Sequence, residues 1–376
     1  MKICVLANGY PTKKTAEAVF VAKLCDEFAE LGNEVVVVAP QSLSRVFVRN
    51  GGMSPTRFTH KTKKDKQVEV YRPYTVSFSN GKLSSKLNYT LRKWAVKRVL
   101  SKIEKPDVYY GHFWNNAFLL FDLVESSKIP LFVATGESVI TFRTKNERFK
   151  QYIAGVIGVS TKNIEESIDK NLTVKEKCVV LPNSIDNEVF RLLDKRKCRQ
   201  DLGIEEGKFV VAFVGNFSER KGVMRLSSAI EKCDDNNIGV IFLGRPTEMK
   251  PNCRGIIKMG YVEHNVIPKY LNAADVYVLP SLAEGCSNSI VEAMACGLPI
   301  ISSDLPFNYD ILDEKNAILV NPTNEEEIAN AIRLLRDNPT LRQKMAEESV
   351  IKAKSLNLTN RATQIINYIE SKGIIK

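Results

Sequence analysis

The stretch Pro280–Asp304, PSLAEGCSNSIVEAMACGLPIISSD, decides the reading of this chain. Asp275–Leu279 just before it (DVYVL) predicts a short buried strand, and Leu298–Ile301 predicts another. Between them, Glu284-Gly285-Cys286-Ser287-Asn288-Ser289 reads as a loop of small polar residues running into a helix that stops at Gly297. Strand, loop, helix and strand make the unit of a parallel sheet. Gly285 lets backbone come close to a ligand, and the amides of Ser287–Ile290 predict an anion site at a helix N-terminus. Glu284 and Glu292 bracket that site, and both can face one ligand. Amides for a phosphate and carboxylates for hydroxyls suit a nucleotide-sugar. The competing reading is an ordinary Ser/Asn cap beside a solvated glutamate.

Upstream, Phe209–Val214 (FVVAFV) reads as the first strand of the same α/β domain. The loop behind it, Gly215-Asn216-Phe217-Ser218-Glu219-Arg220-Lys221-Gly222, opens a helix. Arg220 and Lys221 are two cations at the C-terminal edge of a sheet, suited to a diphosphate. Ile238–Leu243 is the next strand, and Tyr261–Glu263, with Tyr261 and Val262 foremost, edge the pocket expected for a base. Residues 324–337, 341–354 and 359–370 read as helices.

The first half repeats the pattern. Met1–Ala7 is a strand, Asn8-Gly9-Tyr10-Pro11-Thr12 turns, and Ala16–Leu31 forms a helix with Phe20, Leu24, Phe28 and Leu31 along one side. Glu34–Ala39 is the next strand, so a second parallel sheet is expected, with ligands at its first loop. No GxGxxG occurs there, which excludes the dinucleotide fingerprint. Residues 41–66 read as an extended surface loop carrying Gly51-Gly52 and the basic run His60, Lys61, Lys63, Lys64 and Lys66. Leu83–Ile103 reads as an amphipathic helix, with Leu83, Leu87, Leu91, Ala95, Val99 and Ile103 in a stripe and Lys86, Arg92, Lys93, Lys97, Arg98 and Lys102 off it. Strands at 108–110 and 131–134 end in Gly111-His112-Phe113-Trp114 and Thr135-Gly136-Glu137-Ser138. His112 and Glu137 therefore lie where such sheets bind ligands, with a purely structural role as the alternative for each. Pro182–Asp186 reads as a crossover, dividing the chain into domains at 1–182 and 183–357, with a terminal segment 358–376 that returns to the first.

The 376 residues suffice for two such domains, and 44% apolar with 26% charged residues is the composition of a globular protein. The eight cysteines form no CxxC pair, which argues against a zinc site or a disulfide framework and for a reducing compartment. The N-terminal apolar run is short for a signal peptide and no segment reaches transmembrane length, so a cytoplasmic location is expected. The net charge is +11, and its surplus sits in the first half: residues 1–180 hold 29 Lys and Arg against 17 Asp and Glu, and residues 181–376 hold 25 against 26. A polyanionic partner for the first half follows, such as an acidic glycan, an anionic membrane face or nucleic acid.

VGNFSERKG, the spacing of Glu284 and Glu292 in PSLAEGCSNSIVEAMACGLPII, the joint VVLPNSIDNEVF and the start YPT…FVAKLCDEFAELGNEVVVVAP together resemble the retaining family-four glycosyltransferases of the GT-B fold. The resemblance covers nearly the whole chain. It implies two facing Rossmann-like domains with parallel sheets and an interdomain cleft, acceptor in the first and nucleotide-sugar in the second, and no metal or other cofactor. It further implies that Glu284 contacts donor-sugar hydroxyls, Glu292 the ribose and Lys221 the diphosphate, while the amides of Cys286, Ser287, Asn288 and Ser289 cradle phosphate. Gly9 and Tyr10 would lie on the acceptor side. Three departures stand out. Asn216 occupies the place of an arginine, leaving Arg220 to supply that charge. Thr135-Gly136-Glu137 stands where an active-site His-Gly is usual, making Glu137 the substitute. Polar residues and Ala18 replace a glycine pair in the first loop.

The expected reaction is sugar transfer from a UDP- or GDP-linked donor to a hydroxyl of a glycan or lipid-linked acceptor, in cell-surface polysaccharide or lipopolysaccharide assembly at the inner membrane face. Two rivals are a nucleotide-sugar 2-epimerase on the same fold, which needs no acceptor, and a nucleic-acid-binding or nucleic-acid-modifying protein. No stacking-aromatic run accompanies the basic residues, which counts against nucleic acid.

Overall fold

In the computed structural model, which describes residues 1–12, 17–44, 53–78, 82–142, 144–245 and 247–373, the chain forms two units. One comprises Met1–Val159, Asn163–Leu181 and Arg361–Lys376, and the other Ser160–Lys162 and Pro182–Asn360.

Alternation along the first strand builds the first unit. In β1 (Lys2–Leu6), Ile3 and Val5 enter one buried cluster and Cys4 and Leu6 another, so the sheet is covered on both faces. Onto the Ile3 face packs α1 (Val19–Glu30), which leads to β2 (Glu34–Val38), parallel to β1. The unit continues through β3 (Gln41–Ser42), β4 (Arg57–Lys61), β5 (Gln67–Tyr71), β6 (Tyr74–Thr75), α2 (Lys82–Leu100), β7 (Val108–His112) and α3 (Trp114–Val124). Then come β8 (Leu131–Thr135), α4 (Glu147–Tyr152), β9 (Ile153–Gly158), α5 (Thr161–Asp169) and β10 (Cys178–Val180). Among the described residues the large sheet runs β10-β9-β8-β7-β1-β2-β5-β4, parallel throughout except for the β4/β5 pair. The chain leaves β1 toward β2 and returns on its other side at β7. The loops after β1 and β7 therefore part at a topological switch point, where open parallel sheets bind ligands.

The second unit contains α6 (Lys195–Asp201), β11 (Phe209–Val214), α7 (Val223–Cys233), β12 (Ile238–Leu243), β13 (Ile256–Gly260), α8 (Ile267–Ala273) and β14 (Val276–Leu279). It goes on with α9 (Asn288–Ala295), β15 (Ile300–Ser303), β16 (Ala317–Val320), α10 (Glu325–Asp337) and α11 (Pro339–Ser355). Its sheet, β13-β12-β11-β14-β15-β16, is parallel throughout, and all six residues of β11 are buried, as a strand covered on both faces requires. Here β11 lies between β12 and β14, which makes the ends of β11 and β14 the switch point. The last helix, α12 (Leu358–Ser371), places Ile365, Ile366 and Ile369 in the same core cluster as Ile3 and Val5 of the first unit.

Three expectations are corrected. The first helix begins at Val19 and leaves Phe20 47% exposed, while Ala16 and the Gly51-Gly52 pair lie outside the described residues. Residues 41–66 are not one extended loop: β3 and β4 fall within them, and His60 and Lys61 are strand residues paired with β5. In α2 the buried positions are Ala95, Val96 and Val99, and Leu87 is exposed. A strict four-residue row drifts by about 40° per step around a helix of 3.6 residues per turn, so its ends cannot share one face.

Candidate active site

Two loops of the second unit meet at the ends of its central strands. After β14, Pro280–Ser287 leads to α9. After β11, Gly215–Gly222 leads to α7, passing a short turn, Glu219–Lys221, capped by the Ser218 side chain. Gly222 has φ 76°, and a Cβ there would lie 2.4 Å from the Pro280 carbonyl, so only glycine lets the two loops come this close. Arg225, largely buried, ties them together by donating to the carbonyls of Glu219 and Pro280 and pairing with the Glu219 carboxylate.

At the junction sits Glu284, 7% exposed. Its Oε1 accepts from Ser281 Oγ at 2.9 Å, Arg220 NH1 at 2.8 Å and Lys221 Nζ at 2.7 Å. Arg220 also donates to the Ala283 carbonyl at 2.6 Å. Oε2 accepts no hydrogen bond among the described residues. Two cations on one carboxylate leave the trio with a net positive charge, and they hold one carboxylate oxygen fixed while the other is free to accept.

The α9 N-terminus adjoins this trio. Ser287 is its cap by backbone angle, but its side chain caps nothing, and Ser287 Oγ lies 3.1 Å from Ser289 Oγ. Ser289 Oγ in turn stands 2.7 Å from the buried Tyr277 hydroxyl, itself 3.1 Å from the Val214 carbonyl. Asn183 Nδ2 donates to the Cys286 carbonyl at 2.8 Å. Cys286 is buried, Gly285 is buried with φ outside the left-handed region, and Asn288 is exposed. One turn further, Glu292 is 8% exposed and its Oε1 lies 3.0 Å from His264 Nε2. The His264 ring stacks edge-on against Phe190 at 5.0 Å. Tyr261 is 61% exposed with the Arg245 guanidinium 5.7 Å from its ring; Val262 is half-buried, and Gly215 and Asn216 line the turn after β11.

His264, Asn183, Ser281 and Arg225 were not singled out by sequence reasoning. His264 had the clearest signal, lying two residues beyond Val262 at the expected base pocket. For Asn183 the only signal was its place in the crossover.

In the first unit the candidates have different surroundings. His112 ends β7 among Phe20, Tyr110 and Phe113, with ring centroids 5.2, 6.5 and 4.5 Å away. Burial, and secondarily the Arg361 charge, push its imidazole down to about 3, and its Nδ1 has no hydrogen-bond partner among the described residues. Glu137 accepts from Thr135 Oγ1 at 2.7 Å, the Gly136 amide at 3.0 Å and the Trp114 amide at 3.2 Å, so its carboxylate clasps the start of α3. Gly9 is buried beside Glu17. Tyr10 corrects an expectation: its side chain is 1% exposed in the core, against Phe58 at 6.3 Å, with its hydroxyl 3.3 Å from His60 Nδ1, while His60 Nε2 pairs with Asp26 at 2.5 Å. The turn after β1 carries the ring toward α1 and β4, so it supports the loop from beneath.

Comparisons with known proteins fit this geometry. Residues 208–338, which contain both loops, match the family model "Glycosyl transferases group 1". The second unit carries a glycosyltransferase domain of that group. It is 27% identical over 354 residues to a Bacillus subtilis (strain 168) protein named as a teichuronic acid biosynthesis glycosyltransferase, TuaC, covering 88% of each chain. It is 25% identical over 306 residues to the Escherichia coli UDP-Gal:α-D-GlcNAc-diphosphoundecaprenol α-1,3-galactosyltransferase, covering 74% of this chain and 76% of that one. The fold of this glycosyltransferase is GT-B, shared with sucrose-phosphate synthase from Thermosynechococcus elongatus (TM-score 0.79, 16% identity, 98% of each chain). HepE of Anabaena, solved with UDP and glucose, has the same fold (TM-score 0.73, 18% identity, 99% of this chain and 100% of that one). No helix among the described residues is long and apolar enough to cross a membrane.

Proposed function

We propose that this glycosyltransferase moves a sugar from a UDP- or GDP-linked donor to a hydroxyl of a glycan or lipid-linked acceptor, with retention at the anomeric carbon and without a metal ion, in cell-surface polysaccharide or lipopolysaccharide assembly. The observation that carries it is the Glu284–Arg220–Lys221 trio beside the N-terminus of α9. When the anomeric C–O bond to the diphosphate breaks, negative charge grows on the departing phosphate. Lys221, Arg220 and the α9 amides are placed to stabilise it, each such contact contributing roughly 2–4 kcal/mol. Glu284 Oε2 accepts a donor-sugar hydroxyl, and Glu292 accepts from the ribose. The new bond forms from the acceptor oxygen on the face the diphosphate leaves, and the acceptor proton passes to the departing phosphate. Cell-surface assembly draws support from the names of the two relatives, and a UDP donor from the HepE complex.

Contact with an anionic membrane face is part of the proposal. On α2, Trp94 is 61% exposed with the Arg98 guanidinium 5.7 Å from its ring; Lys86 and Lys97 of the same helix, and Lys102 just beyond it, are exposed. Lys93 is paired with Asp122 at 3.1 Å and Arg92 turns inward, so the basic surface is narrower than the sequence stripe.

The test is incubation with a panel of UDP- and GDP-sugars, with and without lipid-diphosphate-linked saccharides, following free nucleoside diphosphate and the anomeric configuration by NMR. Acceptor-dependent release and a product of the donor's configuration are expected. Inverted product removes retention; conversion of the donor to an epimer without acceptor replaces the reading with an epimerase.

A further inference from the structure

We propose that Arg92, with Asn8, Asn115 and Asn116, binds an anionic group of the acceptor, a phosphate ester or carboxylate on the saccharide that receives the transfer. Assigning the anion to the acceptor rests on the reading above; the anion site rests on the first unit alone.

Arg92 lies on α2, half-buried. Its NH2 group donates to Asn8 Oδ1 at 3.0 Å and to Asn116 Oδ1, while its Nε and NH1 donate to no described residue. No carboxylate of a described residue lies within ion-pairing distance of it. By contrast, Arg72 pairs with Glu17 at 3.5 Å, Arg199 with Asp275 at 2.6 Å, and Arg225 with Glu219. A guanidinium withdrawn from water without a counter-charge is costly, and two neutral amide oxygens offset little of that. Burial accordingly holds Arg92 down at about 10.

The surroundings point to a ligand. Asn8 follows β1, and Asn115 and Asn116 form the first turn of α3 behind β7, so the cluster occupies the switch point of this sheet. Asn8 Oδ1 also accepts from Asn115 Nδ2 at 2.8 Å and Asn116 Nδ2 at 3.2 Å, and Asn116 Nδ2 donates to the His112 carbonyl. The amides thus hold one another and the guanidinium in place, leaving the Nε and NH1 hydrogens of Arg92 to donate to the oxygens of an anion. Asn115 Oδ1 receives no hydrogen bond among the described residues, and a saccharide hydroxyl beside the anion would satisfy it. The nearby Glu137 carboxylate is engaged by Thr135, Gly136 and Trp114, not by this cluster.

The test is calorimetric titration of the full chain, saturated with UDP so that the second-unit cations are occupied, with glucose 6-phosphate, glucuronate and glucose at constant ionic strength. At least one anionic sugar should bind ten-fold or more tightly than glucose, and the two anionic arms separate phosphate from carboxylate. Arg92→Gln should lose ten-fold or more in that affinity with UDP affinity unchanged. Asn115→Asp, which keeps the side-chain shape and suits a helix N-terminus, should weaken the anion to a similar degree by repulsion. Should Arg92→Gln fail to fold by circular dichroism, Asn115→Asp decides alone. Equal binding of all three sugars, or variants that bind the anion as well as the parent, overturns the site. A parent protein that fails to bind UDP removes the glycosyltransferase reading instead, while the anion titration keeps its own outcome.

Discussion

Lys221 Nζ stands 2.7 Å from Glu284 Oε1, and the two residues come from the loops behind neighbouring parallel strands, β11 and β14. On the proposed reading, the pair joins the phosphate-binding and sugar-binding sides of one site. Arg220 shares the same oxygen at 2.8 Å, so removing either cation still leaves the buried carboxylate compensated.

Lys221→Ala is therefore expected to fold, with a Tm close to that of the parent, and to lose roughly 10²–10³ in kcat, the worth of one preorganised charge contact. Steady-state turnover with the best donor checks it. Parent-like kcat would remove Lys221 from the diphosphate.

Glu292→Gln removes the charge that faces the expected ribose while leaving α9 intact. A hydrogen bond to a charged group is worth about 1.5–3 kcal/mol, so nucleotide affinity should fall roughly ten- to hundred-fold by calorimetry, with little change in kcat at saturating donor. His264, largely exposed beside Glu292, should matter less: His264→Ala is expected to cost under about five-fold.

His112 makes a pH prediction with a definite sign. Its ordinary value of 6.5 is depressed to about 3 in the folded chain, so the unfolded chain takes up a proton that the native state refuses. The stability this group contributes is fully present above about pH 6.5 and is lost as pH falls toward 3. At pH 5 the loss is on the order of 2 kcal/mol, and His112→Phe should flatten that limb of a denaturant-unfolding series run from pH 7 to 4. The same depression means His112 contributes no ionisation to the pH–rate profile between 5 and 8.

Lys97 and Arg98 flank the exposed Trp94 on α2. At about 1 kcal/mol per cation near an anionic surface, the Lys97→Gln, Arg98→Gln double variant should bind anionic vesicles roughly 30-fold more weakly, with further loss on Trp94→Ala. Sedimentation with phosphatidylglycerol vesicles measures it; unchanged binding moves the contact away from α2.

Much of the fold and the donor-side constellation was legible because strong local rules specify them. Runs such as EVVVV and FVVAFV can only be strands buried on both faces, and Gly222 or Gly297 mark turns where a side chain does not fit. The loop residues Glu284 and Lys221 could be named because each lies in a short loop between a strand end and a helix. What the local pattern misassigned were side-chain directions. Tyr10 sits in the core, Arg92 turns inward from a row of otherwise outward cations, and the basic run at His60 is partly strand.

The amino-acid order by itself determined two doubly wound α/β units and the loops that carry charge, since periodicity and glycine placement act over a few neighbouring residues. Only the tertiary structure decided that Arg220 and Lys221 share one oxygen of Glu284, that Glu292 takes His264, that Glu137 clasps α3, and that Arg92 meets no carboxylate among the described residues. Those partnerships depend on which strands lie side by side and where each rotamer points, and sheet order and packing set both across long sequence separations.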